Sequence, residues 1–497
     1  MIRATAVKTV PERQRGLGRW VSRVPFYYGW VLIGIAFITI AIGISARTSF
    51  SLLLPPLIDE FHWSRGLASG AFAFGFLVSA LISPLVGQVM DRYGPRFLLL
   101  AGSCLTALGL LLATLMQEPW QLYATLGFLV GGGTNLMGFS VHSIFLPNWF
   151  VRRRGLALGI AFSGAGVGAL VILPWLQEII LSAGWRASCL ALGSVVLFVL
   201  APLSFFVWQR PEELGLEPDG QRGQTEAEAS ARVSNVVDHA WVNTEWTIAK
   251  AMQTPRFWCI IFGYFCALFA WYAVQVHQTK YLVEIGFSPA TSAWALALVS
   301  AFGMFGQIGM GALSDRIGRE WAWGASCLGS AISCAALLAL EGTPAEWLLY
   351  VMVISQGMLG YGMTSLMGPI VMEIFQGKSF GSIFGVVTIA VMAGGAVGPW
   401  VTGVIYDETG SYRVAFALSL ACCLLSSIAI WIASPRKVRL VQGRLKQSNS
   451  KSNAAVTKAI ARSLATTSTQ ENNPRQYTNA KAEVIPQADV RTPNNFK

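Results

Sequence analysis

A chain of 497 residues that is 54% hydrophobic and only 12% charged does not have the make-up of a water-soluble globule, in which about a quarter of residues carry charge. Its net charge of +11 would suit a nucleic-acid partner only if the basic residues formed a face; here they fall in loops between apolar runs. Those runs recur along nearly the whole chain and are long enough to cross a ~30 Å hydrocarbon core as helices, whereas the short alternating segments of a barrel are missing.

Hydropathy predicts twelve spans: 26–54, 67–86, 97–116, 121–147, 155–181 and 187–208, then 257–279, 291–312, 322–340, 347–372, 381–405 and 414–434. Gly and Pro are frequent inside them, as is common where helices pack closely in lipid. The expected organisation is a basic arm (1–25), a six-helix bundle (26–209), a polar linker (210–256) with a surface helix near Trp241–Met252, a second bundle (257–434) and a disordered tail (435–497) rich in Asn, Ser, Thr, Gln and Lys.

Basic residues alternate from one end of the spans to the other. The N-terminal arm (Arg3, Lys8, Arg13, Arg15, Arg19, Arg23) and the loops after the even-numbered spans hold most of them, including Arg92, Arg96, Arg152, Arg153, Arg154, Arg316 and Arg319. The opposite loops carry only Arg65, Arg186, Lys280 and Arg413. The positive-inside rule then puts both termini in the cytoplasm, and a bacterial inner membrane is the expected location. Eight cysteines lie in apolar spans with no metal-type spacing, so neither a metal nor a cofactor is expected.

An internal repeat organises the chain. GQVMDRYGPR (87–96) recurs as GALSDRIGRE (311–320), placing Gly87, Asp91, Arg92 and Gly94 opposite Gly311, Asp315, Arg316 and Gly318. Glu60 and Ser64 fall opposite Glu284 and Ser288, TNLMG (134–138) opposite TSLMG (364–368), and Gly155 and Gly159 opposite Gly381 and Gly385. Trp185–Arg186 and Tyr412–Arg413 follow spans five and eleven. Several matches in register point to duplication and to a pseudo-twofold bundle with a cavity between its halves, the arrangement used for alternating access.

The G-x-x-x-D-R-x-G loop, present in both halves, resembles the signature of the major facilitator superfamily. That resemblance implies an all-α membrane fold of twelve helices in two six-helix halves, with these loops gating the conformational change. The basic residue that the family carries after the second Gly is Pro95 here, with Arg96 following. FYYGWVL (26–32), ARTSFSLLLPPLIDEFHWSR (46–65), NWFVRRRGLALGIAFSGAGVG (148–168) and GPWVTGVIYDETGSY (398–412) resemble the bacterial monocarboxylate-transporter-like branch, near the oxalate/formate antiporters. Gly155, Gly159, Gly164 and Gly168 form a track on span five that lets helices pack backbone to backbone. The chain departs from those relatives at Gly303 and Gln307, where mammalian-type carriers have an Asp and an Arg, and it has no lysine between Gly381 and Ile405.

An ionisable group within the bilayer costs ~2.5–3.5 kcal/mol on insertion scales and marks a functional position by default. Arg47, deep in span one, is the outstanding case and could fork two hydrogen bonds onto a carboxylate. His142 and His277 are candidates for a coupling proton or an anion contact. Tyr272, Gln275, Asn135, Gln307 and Gln356 complete the candidate binding set, while Glu178 and Glu373 are expected at span ends, in the interface. The expected function is a secondary transporter of a small organic anion such as a monocarboxylate, coupled to a proton or a counter-anion and acting as a monomer in the bilayer. An efflux carrier for another metabolite or drug is the alternative, and a sensor on a transporter fold a lesser one. No nucleophile–base set, metal cluster or phosphate loop argues for an enzyme.

Overall fold

The computed structural model describes residues 26–220, 236–341 and 345–445. The basic arm, residues 221–235 and the tail from 446 lie outside the described residues. Up to Arg444 the described residues belong to one compact unit.

Twelve spans can be followed among them. They are α1 (Gly29–Phe61), α2 (65–93), α3 (95–113), α4 (119–149), α5 (154–183) and α6 (185–204), then α7 (Pro255–Glu284), α8 (Pro289–Ile317), α9 (Arg319–Leu340), α10 (346–374), α11 (Phe380–Thr409) and α12 (Arg413–Ala433). Helical hydrogen bonding runs from α2 into α3 across Gly94 (φ 77°) and from α5 into α6 across Gly184 (φ 86°). These backbones reverse direction through a conformation that only glycine adopts cheaply. The second half repeats the device at Gly318 (φ 111°) and Gly410 (φ 68°).

Local sequence explains the starts and stops. Ser64 and Ser288, paired by the repeat, cap α2 and α8 by accepting from the backbone N–H groups of Leu67 and Thr291. Thr254 caps α7 in front of Pro255 at the first helical position. Span one runs seven residues past its expected end at 54, through Pro55 and Pro56, and stops at His62 in the left-handed conformation. Its hydrogen bonding outlasts its apolar stretch, so hydropathy underestimates its length. The linker forms two short helices, His239–Val242 and Ile248–Met252, in place of one continuous surface helix. They are docked rather than free: the Trp241 indole donates to the Ile374 carbonyl at 2.8 Å, and Trp246 packs on Phe375 with ring centroids 5.1 Å apart.

Two further features obey the pseudo-symmetry. Helices α4 and α10 each contain a π-helical stretch, Tyr123–Val130 and Ser355–Leu359, a widening often found at functional sites. The halves meet along α2–α11 and α5–α8, where glycines bring backbones into contact. A Cβ on Gly87 would overlap the Gly381 carbonyl, and one on Gly159 the Gln307 carbonyl. On the other side of α5, Gly164 and Gly168 meet the backbone of α1 at Phe37 and Ala41. The track therefore serves two neighbours: Gly155 and Gly159 face the opposite half, and Gly164 and Gly168 face their own.

Gly159→Val is expected to hold α5 and α8 apart and lower transport by roughly tenfold or more, ~1.4 kcal/mol or above in the affected step. Uptake into proteoliposomes, normalised to reconstituted protein, measures it; wild-type uptake would show that close approach is not required.

Candidate functional site

The end of the bundle that carries the repeated motif loops is pinned by two reciprocal contacts. Asp91, on α2, accepts from the Gly381 N–H at 2.9 Å and the Ser382 N–H at 2.7 Å, and from the Ser382 hydroxyl at 2.6 Å, all at the start of α11 in the other half. Asp315, on α8, accepts from the N–H groups of Gly155 and Leu156, both at 3.0 Å, at the start of α5. Each carboxylate thus satisfies orphan donors at the positive end of a helix in the opposite half. The motif aspartates cap helices across the seam, and among the described residues Asp91 has no arginine ion pair like that of Asp315 with Arg319.

The second half adds a buried ion network. Arg319 is only 2% exposed; its Nη1 lies 2.7 Å from Asp315 Oδ1 and its Nε 2.7 Å from Glu373 Oε1. Glu373 is therefore buried rather than interfacial, because the guanidinium compensates its charge. The first half places Pro95 where Arg319 stands and has no such triad among the described residues. Arg92, by contrast, is exposed, and its guanidinium lies 5.2 Å from the Tyr93 ring. Arg316 is exposed too, with Gly443 of the segment after α12 packed on its backbone.

At the opposite end the ion pairs each stay within one half. Arg186 binds Glu60 through two contacts of 2.7 and 2.8 Å, and the Trp185 indole donates to the same carboxylate at 2.7 Å. In the second half Glu284 meets Lys280 at 3.6 Å and the Tyr406 hydroxyl at 3.1 Å.

Between the halves, above the pinned end, lies a cavity of about 420 Å³ walled by α1, α4, α5, α7, α8, α10 and α11. Of the candidate residues, Tyr272, Gln275 and Gln307 line it. Gln307 donates to Thr364 at 3.0 Å on its floor, and the Gln275 Oε1 is buried without a hydrogen-bond partner. Arg47 is not part of this lining: it lines a small neighbouring pocket with Phe50, Phe72, Leu126 and Gly131, while Ile44, one helical turn away, and Thr48 beside it line the cavity. Its guanidinium lies 3.8 Å from the Phe76 ring centroid, Phe76 stands edge-on to Tyr272, and Tyr272 is within electrostatic range of Arg47. The Arg47 Nη2 is buried and has no hydrogen-bond partner.

Four other candidates lie outside the cavity lining. Asn135 donates to the Ser79 carbonyl and Ser83 hydroxyl, tying α4 to α2. Gln356 accepts from Ser333 on α9, and His277 meets the Pro399 carbonyl at 3.1 Å. His142 is fully buried; its Nδ1 is 2.9 Å from the Gly138 carbonyl and its Nε2 is unpartnered. In this state all four serve helix–helix or intrahelical contacts. Sequence reasoning missed Trp271, Ser300, Tyr361 and Thr364 in the wall, and the partnership of Arg319 with Glu373. The repeat held a signal for Arg319, since it aligns with the position where the first half has Pro95.

Two pseudo-symmetric six-helix halves closed at their motif loops around a central cavity define a secondary transporter of the facilitator type. The chain matches the family model described as Major Facilitator Superfamily over residues 32–365 and 260–469. It belongs to the major facilitator superfamily, and is a transporter rather than an enzyme. Among curated proteins it is similar to monocarboxylate transporter 2 of Homo sapiens, with 22% identity across 88% of this chain and 91% of that protein. It is also similar to monocarboxylate transporter 11 of Mus musculus, with 26% identity across 82% and 88%. The fold is shared with the E. coli fucose:proton symporter FucP, at a TM-score of 0.60 and 15% identity over 82% of this chain and 100% of that one. The proton:xylose symporter XylE aligns with a TM-score of 0.64 and 15% identity over 82% and 95%.

Removing one partner of a buried pair strands the other charge, at a cost of about 3–5 kcal/mol. Arg319→Leu should accordingly lower the thermal unfolding temperature in detergent clearly, and Arg319→Lys by less. Equal stability of wild type and Arg319→Leu would remove the structural role of the triad.

Proposed function

We propose that this transporter moves a small monocarboxylate by alternating access, with Arg47 as the counter-charge for the carboxylate. One observation carries the reading: a cation within the membrane, on the helix whose Ile44 and Thr48 line the central cavity, has a buried Nη2 with no partner. Leaving a charge uncompensated there is costly, and a carboxylate entering the cavity relieves that cost with a charge-assisted, potentially bidentate contact. Similarity to monocarboxylate transporters supports the same substrate class.

In this reading the basic, motif-bearing end faces the cytoplasm, following the positive-inside rule. The state seen here is then closed to the cytoplasm, with residues 26–209 and 257–434 as the two rocking units. Among the described residues no Asp or Glu lines the cavity, and the candidate histidines lie outside it. The acid's own charge is thus the natural partner of Arg47, which favours exchange of one anion for another over proton symport.

Arg47→Gln is expected to cut uptake of a labelled monocarboxylate by roughly 30- to 150-fold, equivalent to about 2–3 kcal/mol for a lost charge-assisted contact. Arg47→Lys should keep part of the activity. Proteoliposomes loaded with unlabelled acid should take up label faster than empty ones, whereas stimulation by an imposed pH gradient alone would argue for symport. Full uptake by Arg47→Gln would remove Arg47 from the site.

A further inference from the structure

We infer that the acid accepted by this cavity carries a bulky apolar body, with an aryl-substituted alkanoate as its type, in preference to the shortest carboxylic acids. The inference rests on the carboxylate reading of Arg47 and concerns the part of the substrate that Arg47 does not touch.

Charge comes first. Among the described residues the lining contains no acidic side chain and no basic one, and Arg47 approaches it from α1, beside Thr48. The site therefore matches one negative charge. A second carboxylate would find no cation along the wall, and an ammonium group would find no anion. Gln275 on α7 has a buried Oε1 with no partner, an acceptor for a neutral donor, whereas on the floor Gln307 already donates to Thr364. Nothing there calls for a charged group at the far end of the substrate.

Shape and surface come second. Leu296 and Gln307 both line the cavity on α8, so it extends roughly 16 Å along that helix at 1.5 Å per residue. Its volume of about 420 Å³ falls within the ~300–1,000 Å³ typical of sites that enclose drug-sized ligands. Much of the wall is large and apolar: Phe139, Leu173, Leu268, Phe384 and the thioethers of Met367 and Met392. Trp271 is set edge-to-face on Tyr361 with centroids 4.2 Å apart, which fixes a flat aromatic surface in the wall. Methionine sulfur and aromatic faces suit a planar hydrocarbon ring. A two- or three-carbon acid held at Arg47 would leave most of this surface against water. An aryl tail reaching from the rim toward the floor would cover it, and that burial is favourable in proportion to the apolar area removed from water.

Binding of three compounds to the purified full-length protein in nanodiscs, by isothermal titration calorimetry, tests this: propionate, hydrocinnamate, and the neutral isostere hydrocinnamamide. Hydrocinnamate is expected to bind with a Kd lower than that of propionate by roughly tenfold or more, and lower than that of the amide by a similar factor. In Ala169→Phe, which pushes a ring into the cavity from α5, the hydrocinnamate-to-propionate preference should fall by about tenfold. Propionate binding as tightly as hydrocinnamate would overturn the inference about the apolar body while leaving the carboxylate reading intact. The amide binding as tightly as hydrocinnamate would instead overturn the carboxylate reading.

Discussion

Everything in this molecule that bears on transport depends on two aspartates capping helices that do not belong to their own half. Asp91 holds the start of α11 and Asp315 the start of α5. A carboxylate at a helix N-terminus gains both from the exposed N–H donors and from the helix dipole, and hydrogen bonds to a charged group contribute about 1.5–3 kcal/mol each. A few such bonds are strong enough to define a state and weak enough to be exchanged. They draw the glycine-rich faces of α5 and α8, and of α2 and α11, into backbone contact. With that end drawn shut, the central cavity ends on a floor at Gln307, Phe384 and Thr388.

The duplication is imperfect, and the imperfection has consequences. In the second half Arg319 joins Asp315 to Glu373, so the aspartate is positioned by a buried pair before it reaches across the seam. In the first half Pro95 removes that support, and Asp91 compensates with an additional bond from the Ser382 hydroxyl. One latch is braced by its own half, and the other draws on the half it captures. A network such as Asp315–Arg319–Glu373 is costly to break by removing one member, whereas the Asp91 cap can be released with a single helix end.

Sequence made some of this visible and hid the rest for identifiable reasons. The twelve spans and the repeat were legible because hydropathy and motif spacing are local properties. Arg47 was legible because a charge inside an apolar run stands out wherever it points. Asn135, His142, His277 and Gln356 were equally conspicuous as polar residues in apolar spans, yet none lines the cavity: three bond neighbouring helices and His142 bonds its own. The rotation of a helix about its own axis is set by packing with several partners, and no single span encodes it. Glu373 read as interfacial from its place near a span end, because the guanidinium that permits its burial arrives from a position 54 residues earlier in the chain. The aromatic wall at Trp271 and Tyr361 was hidden in the same way, since an aromatic in an apolar span carries no mark of which face it occupies.

The claim that the two aspartate caps hold the motif end shut is open to direct measurement by double electron–electron resonance. One pair of spin labels at exposed Arg92 and Lys378 reports on the motif end, and a second pair at exposed Glu118 and Glu408 on the other. When Asp91→Asn and Asp315→Asn are combined, the motif-end distance distribution should broaden and shift to longer values while the opposite-end distribution shifts shorter. Distributions that match those of the protein with both aspartates intact, at both ends, would contradict the account.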